Sequence, residues 1–186
     1  NSADNELRGL NGADRLTGKD GKDILIGGKG ADILDLTESK PANDIIRFEL
    51  GDSIASVNDA DKIIKFAPSF DTLELVGAII ATNSAAIDGS DVGTIKSHKI
   101  TNGIVKFDDT DSFVSSASIT PNNLSNAIEY LGKNITGKSI VAFQSGSDMW
   151  VFQDNGAADT LITLVGVSNI NSLTLTAHTS SAIHIS

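Results

Sequence analysis

Apolar and polar residues alternate in short runs along much of the chain, and this period of two is typical of β-strands that bury one face. The runs that predict strands are 43–52, 61–80 (two strands around a Pro-containing turn), 98–107, 139–143, 149–153 and 160–165. Asn102-Gly103 predicts a hairpin turn inside 98–107. Residues 81–93 are small and polar, and we expect a loop there. The pattern predicts a mostly β fold.

A single stretch has helical spacing, and the helix is predicted over 121–131. Thr120 precedes it as a suitable N-cap, and Pro121 suits the first helical position. Gly132 is a plausible stop. The apolar stripe of this helix consists of Leu124, Ala127, Ile128 and Leu131.

A nine-residue period replaces the alternation in residues 9–36. Three copies align, namely Gly9–Thr17, Gly18–Ile26 and Gly27–Asp35. Gly recurs at the first and fourth positions, Asp at the sixth and Leu at the eighth. An incomplete copy precedes them, with Asn5 at the Asp position.

The chemistry of this repeat favours a cation site. Glycine adopts positive φ without steric cost, so paired glycines permit a tight turn that directs backbone carbonyls inward. An Asp carboxylate among carbonyl oxygens suits Ca²⁺, which takes roughly 6–8 oxygen ligands. The x-Leu-x segment that follows is a minimal strand with one inward side chain. Such units bury their apolar faces only by stacking on one another.

With these motifs the chain resembles the RTX (repeats-in-toxin) family. The resemblance implies a parallel β-roll whose turns fall on alternate sides, with Ca²⁺ between turns two copies apart. Asp14 and Asp32 would then face each other across one site. Asp23 would lie on the other side, with Asn5 before it and Asp44 after it. The second Gly is present in the third copy alone, because Leu10 and Lys19 replace it in the first two, which leaves the turn geometry open.

A second segment carries the resemblance further. Residues 61–75 match the D-x-I-x-x-F…D-x-L-x-L pattern that follows the last repeats in many RTX proteins, including serralysin-type proteases. Asp61 and Asp71 either help to bind Ca²⁺, as acids here often do in that family, or cap turns. The full set of metal ligands implied by the resemblance, through carboxylates or backbone carbonyls, is Asn5, Gly9, Asn11, Gly12, Asp14, Gly18, Asp20, Gly21, Asp23, Gly27, Gly28, Lys29, Gly30, Asp32, Asp44, Asp61 and Asp71.

Composition narrows the function classes. The formal net charge is −10, and the acidic balance, without a basic cluster, argues against nucleic-acid binding. There is no cysteine, which excludes disulfides and thiolate chemistry. No run approaches the ~20 apolar residues of a membrane span. No HExxH, GxSxG or phosphate-loop motif is present, so we expect no catalysis.

Other acids have two interpretations. Asp108–Asp111 predicts a solvated acidic loop, with metal binding as the alternative. Residues 143–167 resemble the terminal module of RTX surface-layer proteins and adhesins, with Trp150 as a core residue. Asp154 and Asp159 in this segment flank a Gly-containing loop that could bind calcium.

The end of the chain resembles a type I secretion signal, since residues 172–186 are rich in Ser and Thr. His178 and His184 are expected to be solvent-exposed in a fraying tail. The resemblance implies a β-roll over 1–42, a β-rich, β-sandwich-like cap with one helix over 43–177, and a tail over 178–186.

The implied protein is a calcium-binding, all-β module of a larger exported protein. Its expected partner is the type I secretion machinery, and its expected location is extracellular, at the cell surface. Since the chain does not begin with Met, we expect a piece of something longer; the module itself is expected to be monomeric. The leading parent is an adhesin or surface-layer protein. The alternatives are the tail of a secreted RTX protease or lipase, and a calcium-dependent glycan-binding module.

Overall fold

The computed structural model describes residues 1–77, 79–175 and 182–185. These residues form sixteen β-strands and one α-helix. The strands are β1 (Glu6–Asn11), β2 (Arg15–Thr17), β3 (Ile24–Lys29), β4 (Ile33–Asp35), β5 (Ile45–Phe48), β6 (Asp61–Ile64), β7 (Thr72–Leu75), β8 (Ile79–Ile80), β9 (Ile87–Val92), β10 (Ile95–Thr101), β11 (Ile104–Asp108), β12 (Ser139–Ser145), β13 (Asp148–Gln153), β14 (Thr160–Val165), β15 (Leu173–Leu175) and β16 (Ala182–Ile185). The helix α1 is Leu124–Asn134. The predicted all-β class with one helix is confirmed.

The first seven strands wind into a parallel roll. Among these seven strands, the odd-numbered ones lie in a first sheet and the even-numbered ones in a second. The full order of the first sheet is β1-β3-β5-β7-β16-β15, and the second runs β2-β4-β6-β14-β13-β12-β11-β10-β9. Each circuit of the chain therefore adds one parallel strand to each sheet. The parallel pairing runs past residue 42, where we placed the end of the roll, because β5, β6 and β7 continue both ladders. The other domain limits stay predictions.

Each strand of the roll contributes at least one apolar side chain between the two sheets, and β5 and β7 contribute two each, the second being Phe48 and Leu75. In the first sheet the aligned residues are Leu7, Leu25, Ile46 and Leu73, and in the second they are Leu16, Leu34, Ile63 and Leu164. The inner members of both ladders are fully buried, whereas the two leucines at the open end are partly buried. Full burial of such a side chain contributes about 1.5–3 kcal/mol. The Leu position of the repeat is therefore the core position, as its spacing predicts.

The second sheet continues into an antiparallel region with its own core. The hairpin β10–β11 turns at Asn102-Gly103, as predicted, and both residues have positive φ. Strands β12, β13 and β14 form a meander, and Trp150 on β13 is buried as expected. The expected loop over 81–93 is wrong for 87–92, where β9 pairs with β10, and holds for 81–86, which contain neither helix nor strand. A polar edge strand shows only a weak alternation of apolar and polar residues in the sequence. Its extended backbone is fixed by pairing with the neighbouring strand.

The helix begins and ends later than the predicted range. The N–H of Thr120 donates to Asn123 Oδ1 (2.7 Å), which forms a separate turn before the helix, so Thr120 is not the N-cap. Gly132 does not stop the helix either, because the Ile135 N–H still donates to the Leu131 carbonyl (2.8 Å). The predicted apolar stripe is buried against the antiparallel region. No helix among the described residues is long and apolar enough to cross a membrane.

The last described strand closes the roll. β16 lies between β7 and β15 in the first sheet, antiparallel to both. Ile183 and Ile185 are fully buried in the core of the roll. The expectation of a fraying tail is therefore wrong for 182–185, since pairing with β7 fixes its backbone. His184 lies within β16, and His178 lies outside the described residues.

Candidate metal centre in the turns of the roll

The turns of the roll form two rows, one along each edge where the chain passes between sheets. The first row consists of turns 12–14, 30–32 and 49–60. The second row consists of segments 1–5, 18–23, 36–44 and 65–71. Copies two apart in the sequence are therefore neighbours in a row, as the resemblance implies.

Aspartates of the first row are joined in a hydrogen-bonded ladder. The Asp14 N–H donates to Asp32 Oδ1 (2.8 Å), and the Asp32 N–H donates to Asp61 Oδ1 (2.8 Å). The Asp61 N–H donates in turn to the Ser53 hydroxyl (2.9 Å). Asp32 and Asp61 thus each use one carboxylate oxygen to hold the turn that precedes them in the row.

The second row repeats this ladder with different residues. The Asn5 N–H donates to Asp23 Oδ1 (2.8 Å), and the Asp23 N–H donates to Asp44 Oδ1 (2.8 Å). The Asp44 N–H donates to Asp71 Oδ1 (3.2 Å), while Asp71 Oδ2 accepts from the Ala67 N–H (2.7 Å). Both oxygens of Asp71 are therefore engaged, which agrees with the turn-capping interpretation of that residue. Asp61 also caps a turn, but one of its oxygens is free for another role.

The second carboxylate oxygen of five ladder aspartates is buried and has no hydrogen-bond partner among the residues that the structure describes. These atoms are the Oδ2 atoms of Asp14, Asp23, Asp32, Asp44 and Asp61. A buried, ionised oxygen without a donor or cation is strongly unfavourable. Cations that prefer oxygen ligands, bound in each of the two rows, would satisfy these oxygens. The residues present therefore fit the calcium that the sequence predicts.

Glycine at the first position makes room for these oxygens. A Cβ on Gly9 would lie 2.7 Å from Asp14 Oδ2 and 2.5 Å from the Gly27 carbonyl oxygen. A Cβ on Gly18 would lie 2.8 Å from Asp23 Oδ2. Both distances to carboxylate oxygens are shorter than real Cβ contacts, so a side chain at these positions would displace the Asp.

Backbone carbonyls of neighbouring turns face the glycines. The nearest atom to a Cβ on Gly28 would be the Leu10 oxygen, and on Gly30 it would be the Gly12 oxygen. In the second row the Ala3 oxygen stands 2.7 Å from a Cβ on Gly21. The turns therefore stack with carbonyl oxygens beside the carboxylates, which gives each row the all-oxygen surroundings that Ca²⁺ requires.

Two predicted ligands, Asp20 and Lys29, have other partners for the atoms they offer. The Asp20 carboxylate accepts from the backbone N–H and the hydroxyl of Ser39 (both 2.6 Å). The Lys29 carbonyl accepts from the Gly12 N–H (2.8 Å), and Asn11 continues the backbone ladder of β1 with Lys29. Asp20 therefore fastens loop 36–44 to turn 18–23, and the carbonyl roles of Lys29 and Asn11 stay predictions.

Two acids of the rows could not be predicted from the sequence, because they lie outside the repeat positions. Asp52 is buried in the long turn of the first row, where Oδ2 accepts from the Glu49 N–H (2.7 Å). Glu38 lies in loop 36–44 of the second row, and its Oε2 is a buried atom without a partner. No motif marks either residue, and only the fold brings them to the rows.

Burial dominates the electrostatics of the rows. It raises the pKa of Asp44 to about 6 and the pKa of Asp61 to about 8. Burial also raises the pKa of Asp23 and of Asp32, and neighbouring carboxylates add to each increase. The rows concentrate negative charge that the protein itself does not neutralise. Cation binding would stabilise them in the ionised form.

These pKa values predict how the calcium-free roll responds to pH. A carboxyl group whose pKa is raised by folding stabilises the folded state at low pH, and this contribution is lost as the pH rises through the folded pKa. With folded pKa values of about 6 for Asp44 and 8 for Asp61, stability in EGTA should fall from about pH 5 to about pH 9 by more than about 1.4 kcal/mol, the equivalent of one pKa unit.

Urea unfolding in EGTA, followed by far-UV circular dichroism across this pH range, measures the effect. A second series with saturating calcium should show the opposite slope at the acidic end, because protons compete with the metal for carboxylates. A calcium-free stability that is constant or rises toward pH 9 would contradict the burial of these acids.

The two departures from the repeat adopt the conformation of the glycine they replace. Leu10 has φ 80° and Lys19 has φ 71°, close to the 90° of Gly28 at the same repeat position. The turn geometry that the sequence left open is therefore retained. The left-handed conformation costs a non-glycine residue about 1–2 kcal/mol.

Restoring glycine at these positions should stabilise the roll. Leu10 is 68% exposed, so Leu10→Gly removes little packing. Glycine relieves the backbone strain but adds an entropic cost of ~0.5–1 kcal/mol. We therefore expect Leu10→Gly and Lys19→Gly each to raise the free energy of unfolding by about 0.5 kcal/mol. Thermal unfolding in calcium measures it, with Gly28→Ala as the control that should destabilise because its Cβ would meet the Leu10 oxygen. A loss of stability in both glycine variants would contradict the strain.

The acids outside the roll serve mainly as caps. Asp108 accepts from the N–H groups of Asp109 (2.7 Å) and Ser115 (2.8 Å) and so fixes the loop after β11. Asp159 Oδ1 accepts from the Asn155 N–H (2.8 Å), and Asp154 Oδ1 accepts from the Gly156 N–H (3.3 Å).

The carboxylates of Asp88, Asp91 and Asp111 come together at the surface, which the sequence does not predict.

Comparison with known proteins agrees with the geometry of the rows. Residues 1–35 match the family model of the RTX calcium-binding nonapeptide repeat in four copies. The chain is also similar to two solution structures of subunits of the Azotobacter vinelandii mannuronan C5-epimerase. For AlgE6R3 the identity is 19% over 89% of this chain and 72% of that chain, with a TM-score of 0.35. For AlgE6R2 it is 17% over 87% and 83%, with a TM-score of 0.39. No curated protein matches the sequence.

Proposed function

We propose, starting from the RTX calcium-binding repeats in residues 1–35, that this chain is the calcium-folded terminal module of a larger protein exported by a type I secretion system. The observation that carries the proposal is the set of five buried carboxylate oxygens without partners. These oxygens lower the stability of the folded roll when calcium is absent, and they stabilise it when they bind calcium. The roll would therefore stay unfolded inside the cell and fold in extracellular calcium, where modules of this kind bind at roughly 10⁻⁴–10⁻³ M.

The position of the last strand supports export as an unfolded chain. Ile183 and Ile185 are buried between the sheets, and β16 pairs with roll strand β7. The part of a signal that lies in β15 and β16 would be accessible to an exporter as an extended chain only before these strands enter the first sheet. Folding outside the cell would then bury Leu173, Ile183 and Ile185 and hinder backward movement.

The module is proposed to bind and not to catalyse. The acids with raised pKa values in the roll belong to ladders in which each carboxylate caps a neighbouring turn. Groups held in this way serve folding and cation binding. Attachment of the whole protein to a surface, as an adhesin or surface-layer protein, rests on the resemblance of residues 143–167.

Export from bacteria that carry a type I exporter tests the proposal. The chain fused behind a passenger domain should reach the medium, and removal of residues 172–186 should abolish its appearance there. Glycine substitutions that favour the roll, such as Leu10→Gly, leave those residues intact and should permit export. Equal export with and without residues 172–186 would contradict the signal, while calcium binding by the purified chain would be unaffected by that result.

A further inference from the structure

Ser53 lies at the point where the first row meets the antiparallel region. It is fully buried, in the long turn 49–60 that connects β5 to β6. Its hydroxyl accepts from the Asp61 N–H (2.9 Å) and donates to the Leu161 carbonyl (2.5 Å) on β14. A serine hydroxyl has a single donor hydrogen, so the bond to Leu161 uses it completely.

The hydroxyl takes the place of a direct bond in the parallel ladder of β6 and β14. Asp61 pairs with Ile162 in the register of these strands. The Lys62 N–H is bonded on the β4 side, so the Asp61 N–H, one residue earlier, points to β14. In a regular parallel pair such an N–H donates directly to a carbonyl of the partner strand, here that of Leu161. The serine hydroxyl stands between the two groups and binds the long turn to both strands.

The second row ends within its own turn. Its last aspartate, Asp71, donates its N–H to the Ala67 carbonyl (2.8 Å), and its Oδ2 accepts from the Ala67 N–H (2.7 Å). Both bonds lie inside segment 65–71. The ladder of the first row instead continues from Asp61 through a hydroxyl into a strand of the antiparallel region.

Asp61 is the residue through which Ser53 reaches the first row. Its Oδ1 accepts from the Asp32 N–H (2.8 Å), and its Oδ2 is buried without a hydrogen-bond partner among the described residues. Removal of the hydroxyl would leave the buried Asp61 N–H without its acceptor, which is unfavourable. The backbone would then relax at Asp61, and any shift there moves both carboxylate oxygens.

We propose that Ser53 is a positioning residue for calcium in the first row, because its hydroxyl fixes Asp61, and that it couples occupation of this row to β14. This inference rests on the proposed calcium-binding function of the roll. Calcium bound by the free oxygen of Asp61 would hold this residue in place, and the hydroxyl would hold β14 to it. Ser53 acts through Asp61 and is not assigned as a metal ligand.

Ser53→Ala removes the hydroxyl and changes no charge. Calcium binding to the full chain is measured by isothermal titration and by native mass spectrometry. We expect one site to bind calcium about tenfold more weakly than in the wild type, the equivalent of one lost hydrogen bond, while the other sites keep their affinity. Ser69→Ala, at an exposed serine of segment 65–71, is the matched control and should leave binding unchanged.

A double variant separates positioning from a general loss of stability. Asp61→Asn keeps the N–H and Oδ1 but replaces the free Oδ2 by an amide that cannot bind a cation. In that background Ser53→Ala should cause no further loss of calcium affinity, although it still lowers the free energy of unfolding in EGTA. If Ser53→Ala does not fold, Ser53→Cys replaces it. A thiol is a weaker donor and acceptor than a hydroxyl, so this variant should weaken the same single site.

Three results would contradict the inference, and they differ in how far they reach. A wild-type chain that binds no calcium would overturn the proposed function and the role of Ser53 together. A wild-type chain that binds calcium, with a folded Ser53 variant whose isotherm is identical, would overturn only the role of Ser53. A further loss of affinity when Ser53→Ala is added to Asp61→Asn would show that Ser53 does not act through Asp61, and would also overturn it.

Discussion

In excess EGTA at neutral pH, the roll strands β1–β7 are expected to be marginally stable and to open often, while the antiparallel region keeps its ordered β-structure. The roll contains the five buried carboxylate oxygens without partners, and its short strands contribute few apolar side chains each to its core. One face of β12–β14 packs on that core, but the antiparallel region has a second core that includes Phe107, Tyr130 and Phe143, whose rings pack edge to face. Calcium removal should therefore act mainly on the roll.

Hydrogen exchange measured by mass spectrometry resolves this difference along the sequence. Peptides from 6–75 should exchange much faster in EGTA than in calcium, whereas peptides from 95–135, which contain the hairpin β10–β11 and the helix α1, should stay protected in both. Magnesium is the control, because it favours octahedral, partly hydrated sites and should not restore protection. Equal protection of 6–75 with and without calcium would contradict the role of the metal in folding.

Asp32→Asn should separate the two roles of the ladder aspartates more clearly than any other single change. Asparagine retains Oδ1, which accepts the Asp14 N–H, and it retains the N–H that donates to Asp61. It replaces the unpartnered Oδ2 by an amide that cannot bind a cation. Stability in EGTA should be unchanged or higher, because a buried charge is removed.

In calcium the same variant should be strongly destabilised. A site occupied at a hundred times its dissociation constant contributes about 2.7 kcal/mol to stability, and this amount is lost when the site is lost. Urea unfolding in calcium and in EGTA gives both values. Asp59→Asn, an exposed residue of the first row, is the control and should change stability by less than about 0.5 kcal/mol in either condition. Equal destabilisation in both conditions would make Asp32 a purely structural residue.

The regular part of the roll could be predicted from the sequence because the nine-residue period fixes both register and side. Gly9 and Gly27, two copies apart, had to be neighbours once the chain was read as a roll. The continuation through β5, β6 and β7 was not predictable from spacing, since loops 36–44 and 49–60 differ in length from the repeat turn. There the parallel ladder is held by Asp44 and Asp61, which occupy the Asp position without the glycines.

Two other features depend on tertiary partners that a single sequence does not reveal. β16 is a short strand in a polar segment, and its order comes from pairing with β7 and from the burial of Ile183. Glu38 belongs to no motif, and it lies in the second row only because loop 36–44 returns to that row, where Ser39 bonds Asp20. Leu10 and Lys19 illustrate the reverse case, in which the fold imposes a backbone conformation that the residues disfavour.

Anomalous diffraction from a crystal grown in calcium locates any calcium ion bound by the free oxygens of the ladder aspartates. We expect anomalous peaks within coordination distance of Asp14 and Asp32 Oδ2 in the first row and of Asp23 and Asp44 Oδ2 in the second, with backbone carbonyls completing each shell. Well-ordered turns in both rows without any anomalous peak at these oxygens would contradict this expectation.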